Sequence, residues 1–264
     1  MFGNHYLVTH FHDSKTFDDT TIFGQKQKKM TVEDLKNKIA KPVTKLTTGG
    51  FRPKNTIEES WIGKVFAYHE DEEIPKDKNG DLMVPLAQFY LPNLPYVHPR
   101  ISKTKLITVF ITGELPECFE PMGENWVIRE YENLDTIKIK KLENPNSFLK
   151  AFPLQAELDE NDFPLWDGGG LSMEDEAEVL KLENEGIIED YFDITEHIYD
   201  HKIGGYPSFC QSGIGDSDGF GEGFQFVFQI SSDEKANFNV IDNGSLMFAK
   251  NSDTNQWSVY YDFY

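Results

Sequence analysis

The chain has 264 residues, of which 39% are hydrophobic and 14% aromatic, and its formal net charge is −20. This apolar content distinguishes it from disordered chains, and the acidic balance disfavours binding to nucleic-acid phosphates. No apolar run approaches the roughly 20 residues that span a bilayer, and no secretory signal follows Met1. We therefore expect a cytoplasmic protein with reduced cysteines, and neither nucleic acid nor membrane among its partners.

The negative charge is concentrated in one part of the chain. Between Glu157 and Asp200 there are sixteen acidic residues and one basic residue, Lys181. Such a segment attracts and steers a basic partner. It is also typical of a solvated face that keeps a protein soluble. The pattern leaves both alternatives open, an interface for a basic protein or a surface without a partner.

The first 44 residues predict a polar lead-in and one helix. A short strand is indicated at Tyr6-Leu7-Val8. Thr31 is suited to cap the helix, acidic residues follow it in the first turn, and Pro42 ends the helix. The apolar residues of this helix recur at spacings of three and four, at Val32, Leu35 and Ile39.

Two β-rich segments follow. In the first, four stretches are typical of strands: Leu82–Leu91, Leu106–Ile111, Asn125–Tyr131 and Thr136–Lys140. In the second, apolar and polar residues alternate with a period of two in Phe224–Ile230 and Trp257–Tyr264. A tight turn at 242–244 precedes a further strand at Ser245–Ala249.

The segment between them predicts helices. Residues 145–150 favour a short helix, and the glycines at 168–170 favour a loop. Ser172 caps a longer helix that ends at Gly186. Its inner stripe consists of Met173, Ala177 and Leu180. Residues 187–199 are amphipathic and fit more than one structure, so we expect an acidic helical segment near residues 145–200.

The two β-rich segments share a pattern. Paired glycines precede a proline at 49–53 and again at 204–207, and an apolar strand with a glutamine follows each pair, at Gln88 and Gln229. This repetition predicts an α+β fold in which duplicated β-rich halves form one body, with the acidic helical segment between them. The expected organisation is a lead-in and helix at 1–44 and a domain at 45–264, divided into a repeat at 45–141, a helical connector at 142–200 and a second repeat at 201–264.

Three motifs in the last third occur in a fixed order. They are His201-Lys202-Ile203-Gly204-Gly205-Tyr206-Pro207 with Gln211, then Gln229-Ile230-Ser231-Ser232-Asp233, and then Asp242 with Gly244 before an apolar strand. With these motifs the chain resembles the YwqG-like family, bacterial proteins of unknown function. Pro85-Leu86-Ala87-Gln88 fits the family's first half more loosely. The resemblance implies a duplicated α+β domain without established catalytic residues. Some members of the family are encoded near secreted-toxin genes, which suggests an immunity or accessory role.

The same motifs supply candidates for ligand binding, each with a structural alternative. Paired glycines could hold an anion on their amides, but a tight turn explains them better because no phosphate-loop lysine or helix follows. The glutamines fit either a buried network that pins neighbouring turns or the polar lining of a groove. The candidates are His201, Lys202, Gly204, Gly205, Gln211, Gln88, Gln229, Asp233 and Asp242.

Three other arrangements favour structure over chemistry. Cys210 lies nine residues after His201, and this separation is no evidence for a Cys–His enzyme. The acidic stretch 215–223 lacks the pattern of a calcium loop. His10 and His12 have no carboxylate or cysteine at ligand spacing. We therefore expect no metal and no cofactor, and assign no catalytic residues.

Two functions remain open at this point. The first is a non-enzymatic binding protein that captures a basic protein partner, with an immunity or accessory role against a toxin. The second is a domain that binds a small molecule or peptide, or hydrolyses it, in a cleft between the repeats. An open pocket that holds His201, Gln88, Gln229 or Asp233 would favour the second. No sequence feature indicates the oligomeric state.

Overall fold

Residues 29–264 are described by the computed structural model, and those from Thr31 onward form one compact body. The two α-helices of this body are α1 (Val32–Ile39) and α2 (Met173–Asn184). Its strands are β1 (Lys41–Thr48), β2 (Trp61–Ile62), β3 (Ala67–Tyr68), β4 (Val84–Tyr90), β5 (Leu106–Ile111), β6 (Trp126–Tyr131), β7 (Lys138–Ile139), β8 (Phe152–Asp162), β9 (His201–Gly204), β10 (Phe224–Ser231), β11 (Ser245–Asn251) and β12 (Trp257–Asp262). The strand expected at Tyr6-Leu7-Val8 and the pair His10 and His12 lie outside the described residues.

Ten strands form one antiparallel sheet in the order β12-β11-β10-β9-β1-β8-β2-β4-β5-β6, and β3 pairs separately with β7. β1 lies near the middle of the sheet. Its Leu46 pairs with Ala156 of β8 on one side and with His201 of β9 on the other. This central position explains why Val43 and Leu46 are fully buried.

The sheet curls so that its two arms pack face to face. The rings of Phe89 in β4 and Phe228 in β10 meet edge to face, with centroids 5.5 Å apart. Where the outer strands approach each other, Glu130 of β6 accepts hydrogen bonds from Lys250 Nζ (2.7 Å) and Trp257 Nε1 (2.9 Å). One apolar core is therefore shared by both arms.

The expected fold class, α+β with duplicated β-rich halves, is wrong. The body is mostly β, and its ten-stranded sheet is continuous from one arm to the other. The connector predicted to be helical contains β8, an 11-residue strand that lies between β1 and β2. Acidic residues interrupt the apolar pattern of β8 and have low strand propensity, so the sequence conceals it. The expected division at residue 45 falls inside β1.

The starts of both helices are confirmed by their caps. Thr31 Oγ1 accepts a hydrogen bond from the Asp34 N–H (3.1 Å), and the Asp34 carboxylate accepts one from the Thr31 N–H (3.2 Å). This reciprocal pair is a capping box. Ser172 Oγ likewise accepts from the Asp175 N–H (3.2 Å) at the start of α2.

The buried face of α2 differs from the predicted one. The expected inner stripe is exposed: Met173, Ala177 and Leu180. The buried side chains are Asp175, Val179 and Leu182. Asp175 turns inward because Lys38 of α1 lies 2.6 Å from its carboxylate. An ion pair between the two helices therefore contributes to deciding which face of α2 packs, and an apolar pattern cannot show this.

The alternating strands are confirmed more fully than the middle of the chain. The strands expected around residues 86, 108, 128, 227, 247 and 259 all occur. The strand expected at Thr136–Lys140 shortens to the two residues of β7. The helix expected at 145–150 is absent, and in 187–199 the regular structure is a 3₁₀ turn at Tyr191–Asp193.

Candidate functional site

An open cleft of about 1430 Å³ is bordered by α1, by the ends of β1, β8, β9 and β10, and by the segment 192–200. Six acidic residues line it: Glu33, Asp159, Asp193, Glu196, Asp200 and Asp233. Three lysines line it as well: Lys36, Lys45 and Lys235. Four of the sixteen acidic residues between Glu157 and Asp200 thus face one recess.

Two of the sequence candidates, His201 and Asp233, meet in this cleft. His201 Nδ1 accepts a hydrogen bond from the Ser231 N–H (3.0 Å), so the proton of the neutral ring lies on Nε2, which donates to Asp233 Oδ2 (3.2 Å). Burial alone would raise the pKa of Asp233, but hydrogen bonds from His201 and from the Ala236 N–H outweigh burial and lower the pKa to about 2. The cleft therefore holds a carboxylate that is ionised at neutral pH.

The candidate Lys202 is completely buried and pairs with Asp162 at the end of β8. Its Nζ donates to Asp162 Oδ2 (2.9 Å) and to the Ile198 carbonyl (2.5 Å). Asp162 also accepts hydrogen bonds from the N–H groups of Ile198 and Tyr206. Burial lowers the pKa of Lys202, and the carboxylate opposes that shift. The ion pair ties the segment 198–206 to β8 and so positions one wall of the cleft.

A serine, a histidine and an aspartate lie next to this ion pair. His197 Nε2 is 2.8 Å from Ser208 Oγ, and Nδ1 is 3.6 Å from Asp162 Oδ1. Nδ1 makes a shorter contact, 2.7 Å, with the Phe163 carbonyl. Burial, reinforced by Lys202, lowers the pKa of His197 to about 4. His197 lines the cleft, but Ser208 is fully buried and does not line it, so its hydroxyl is not accessible to a substrate in the cleft.

The two strand glutamines bond to neighbouring backbone segments and do not line the cleft. Gln229 Oε1 accepts from the Ser208 N–H (3.0 Å), and its Nε2 donates to the Asp200 carbonyl (3.0 Å). Gln88, in the other arm of the sheet, accepts from the consecutive N–H groups at 66–67. Both side chains are fully buried and have partners, as a structural role requires.

The remaining candidates lie apart from the lining of the cleft. Gly204 and Gly205 have φ angles of 87° and 67°, which favour glycine, and a side chain at Gly205 would overlap the Asp162 carboxylate. Gln211 and Asp242 do not line the cleft. Of the nine candidates, the structure therefore brings only His201 and Asp233 together at its surface.

A preorganised turn forms the outer wall of the cleft. The Asp190 carboxylate accepts hydrogen bonds from the N–H groups of Phe192 (2.7 Å) and Asp193 (3.1 Å), and the Asp193 carboxylate accepts from the Asp190 N–H (3.1 Å). The buried Tyr191 anchors the turn by donating from its hydroxyl to the Pro164 carbonyl (2.7 Å). The backbone position of Phe192 is therefore fixed by its neighbours.

The described residues considered for metal or thiol chemistry lie in the acidic stretch 215–223 and at Cys210. Asp216 pairs with Lys41, and Asp218 accepts from the Gly223 N–H (2.9 Å). Among residues 29–264, no group of three or more His, Cys, Asp or Glu side chains is arranged to hold a metal ion. Burial raises the pKa of the Cys210 thiol, which makes its thiolate less available.

Sequence reasoning does not find Asp162, His197 or Phe192 as parts of a site. Asp162 is 40 residues from Lys202, so no local spacing shows their contact. The one available signal was the excess of acidic residues between Glu157 and Asp200, which contains all three positions.

The molecule is thus a mostly β protein with an acidic cleft beside a buried polar network. Neither helix in residues 29–264 has the length and apolar content that a bilayer crossing requires. The chain belongs to the family described as a domain of unknown function (DUF1963), whose model matches residues 60–256. No curated protein matches the chain. The matched region includes His201 and Asp233 but begins after α1 and β1, which supply part of the cleft.

Proposed function

We propose that the protein is a non-enzymatic binding protein that holds a basic segment of a partner protein in the cleft. The observation that carries this proposal is that carboxylates from the acidic segment and Asp233 face one open recess. Its volume of about 1430 Å³ exceeds the roughly 300 to 1,000 Å³ of typical small-molecule pockets. An extended peptide therefore fits the cleft better than a small ligand does.

Charge complementarity supports a cationic occupant. Within residues 29–264, the carboxylates of Glu196 and Asp200 form no ion pair and no hydrogen bond. Lys235, in contrast, donates to the Thr48 carbonyl (3.1 Å). Carboxylates in a recess attract cations more strongly than those on a flat surface, because the low-dielectric walls focus their field.

An immunity or accessory role, in which the basic partner is a toxin, belongs to the same proposal. The proposal also includes a cytoplasmic location for the protein. It further includes membership in the narrower YwqG-like group within the DUF1963 family. The motifs around His201, Gln229 and Asp242 support that narrower assignment.

The second candidate is a domain that binds or hydrolyses a peptide or small molecule in this cleft. A histidine held by a carboxylate, as in His201 and Asp233, favours it because that pairing occurs in general bases. However, the Nδ1 lone pair of His201 receives the Ser231 N–H, and Nε2 carries the proton given to Asp233. No lone pair of the ring is left to accept a proton, so binding is the better explanation.

Binding of a fluorescent oligolysine peptide to the full chain at low salt tests the proposal. Replacing Glu196 and Asp200 by lysine should weaken binding by about tenfold or more, because charges of the wrong sign then face the peptide. The matched control replaces Glu132 and Glu143 by lysine, since both are exposed and lie outside the cleft.

The control changes the net charge equally and should weaken binding much less. Equal weakening by both variants would mean that the peptide responds only to net charge. Absence of binding to the unaltered protein would also overturn the proposal.

A further inference from the structure

Phe192 is an exposed aromatic side chain in a cleft that is lined mainly by polar residues. Its exposed fraction is 63%, whereas Phe163 in the same cleft is only 3% exposed. The turn at Tyr191–Asp193 is fixed by reciprocal hydrogen bonds between Asp190 and Asp193. The cost of ordering the backbone that carries this ring is thus largely met before any partner arrives, and such preorganisation favours binding.

A second exposed ring lies on the same wall. Tyr199 is 43% exposed and lines the cleft. Its ring is held edge to face against His197, with centroids 4.7 Å apart. The two exposed rings alternate along the chain with carboxylates, since Asp193 follows Phe192 and Asp200 follows Tyr199. Aromatic faces beside carboxylates form a surface that suits a cation with a flat, weakly hydrated face.

We propose that Phe192 and Tyr199 stack on guanidinium groups of arginine residues in the partner. The adjacent carboxylates accept hydrogen bonds from the same groups: Asp193, Glu196 and Asp200. This inference rests on the proposed function and names the side chain that the cleft recognises. The wall then selects for arginine among basic residues as well as for positive charge.

The choice of arginine over lysine follows from the chemistry of the two cations. A guanidinium is planar, weakly hydrated and carries five N–H donors, so it stacks on a ring and binds a carboxylate at the same time. An ammonium is compact and strongly hydrated, so it gains less from the rings. Carboxylates alone would bind both cations, and the exposed rings provide the discrimination.

The test compares oligoarginine and oligolysine peptides of equal length, each titrated into the full chain and its variants. The unaltered protein should bind oligoarginine about tenfold more tightly. Phe192→Ala should remove most of that preference, with about a tenfold loss for oligoarginine and little change for oligolysine. Phe192→Trp should keep the preference, whereas Phe192→Leu should not, because leucine offers apolar surface without a π face.

The matched control is Phe148→Ala, which removes a ring that is 40% exposed and outside the cleft. It should leave the affinities for both peptides unchanged, and thermal unfolding should confirm that each variant is folded. The arginine inference would be overturned if the unaltered protein bound the two peptides with equal affinity, or if Phe192→Leu kept the full preference for oligoarginine. Either result would leave the proposed function standing. If neither peptide bound the unaltered protein, both the arginine inference and the proposed function would be overturned.

Discussion

Lys202 shows what a single buried charge does in this fold. Its side chain is inaccessible to solvent, and its Nζ donates to Asp162 and to the Ile198 carbonyl. Such an ion pair stabilises little by itself, because both partners lose their hydration, but removal of one partner is costly. Its contribution lies in position, since it fixes the path of residues 198–202 along the cleft.

Lys202→Met should therefore lower the free energy of unfolding by about 3 to 5 kcal/mol, because the Asp162 carboxylate is left buried without its cation. Urea denaturation of the variant and the unaltered protein measures this difference. Addition of Asp162→Asn to Lys202→Met should recover part of the loss. If the double variant is no more stable than Lys202→Met alone, the uncompensated charge is not the cause.

At the residue scale, the sequence can mark one residue of a contact without marking the residue that it contacts. The motif His201–Pro207 draws attention to Lys202 and Gly205. Their common contact, Asp162, is one acid among sixteen in its segment, and it is brought to them by the pairing of β8 with β1 and of β1 with β9. Contacts that depend on strand order cannot be predicted from local spacing.

At the scale of elements, two glycines end β9 after four residues. Gly204 and Gly205 both have positive φ angles, and the backbone turns tightly there. The Tyr96 ring packs against Gly204, and the Asp162 carboxylate packs against Gly205. The turn thus allows β9 to leave the sheet at the point where the Lys202 ion pair forms.

Gly205→Ala should lower the free energy of unfolding by about 3 kcal/mol or more, because strain at positive φ adds to displacement of the Asp162 carboxylate. Gly186 provides the control, since its φ is +68° and open space surrounds it. Gly186→Ala should cost only about 1 kcal/mol, the cost of the backbone conformation. Chemical denaturation of both variants measures the difference, and equal costs would show that the contact with Asp162 is unimportant.

Elements differ in how far the sequence predicts them. Apolar and polar residues alternate along β10 and β12, and this period of two made both strands predictable. The pattern does not show the bulge between Phe226 and Phe228, which places their rings in different apolar clusters. β8 has partners on both edges, so the sheet stabilises it although its own residues favour a strand weakly. The cleft wall at 192–200 is irregular, so no periodic pattern in the sequence predicts its structure.

At the scale of the whole molecule, burial favours the neutral form of two histidines, His98 and His197. Burial is the main cause, and nearby Arg100 and Lys202 add to it, so the pKa of His98 and that of His197 are both lowered to about 4. In the unfolded chain a histidine titrates near about 6.5. Between these values the unfolded state binds protons that the folded state does not bind.

The free energy of unfolding should therefore fall as the pH is lowered from about 6.5 to about 4, by on the order of 3 kcal/mol for each histidine. The lowered pKa of Asp233 adds a further loss between about pH 4 and about pH 2. Urea denaturation across this range measures the effect.

His98→Asn is a suitable control for the pH effect, because an amide oxygen can replace the Nδ1 atom that accepts the Arg100 N–H. The variant should show about half the decrease between neutral pH and about pH 4, since one of the two titrating groups is gone. A stability that stays constant over this interval in the unaltered protein would contradict the assignment.

The central place of β1 also bears on how the polypeptide is made. β1 is the first strand among residues 29–264, yet its neighbours β8 and β9 begin only at Phe152 and His201. A ribosome releases the chain in order, and distant strand pairings form slowly. The nascent Lys41–Thr48 segment therefore has no strand partner on either edge until most of the polypeptide has been synthesised. Products truncated before β8 would expose both edges of this strand, and unpaired strand edges are prone to associate with one another.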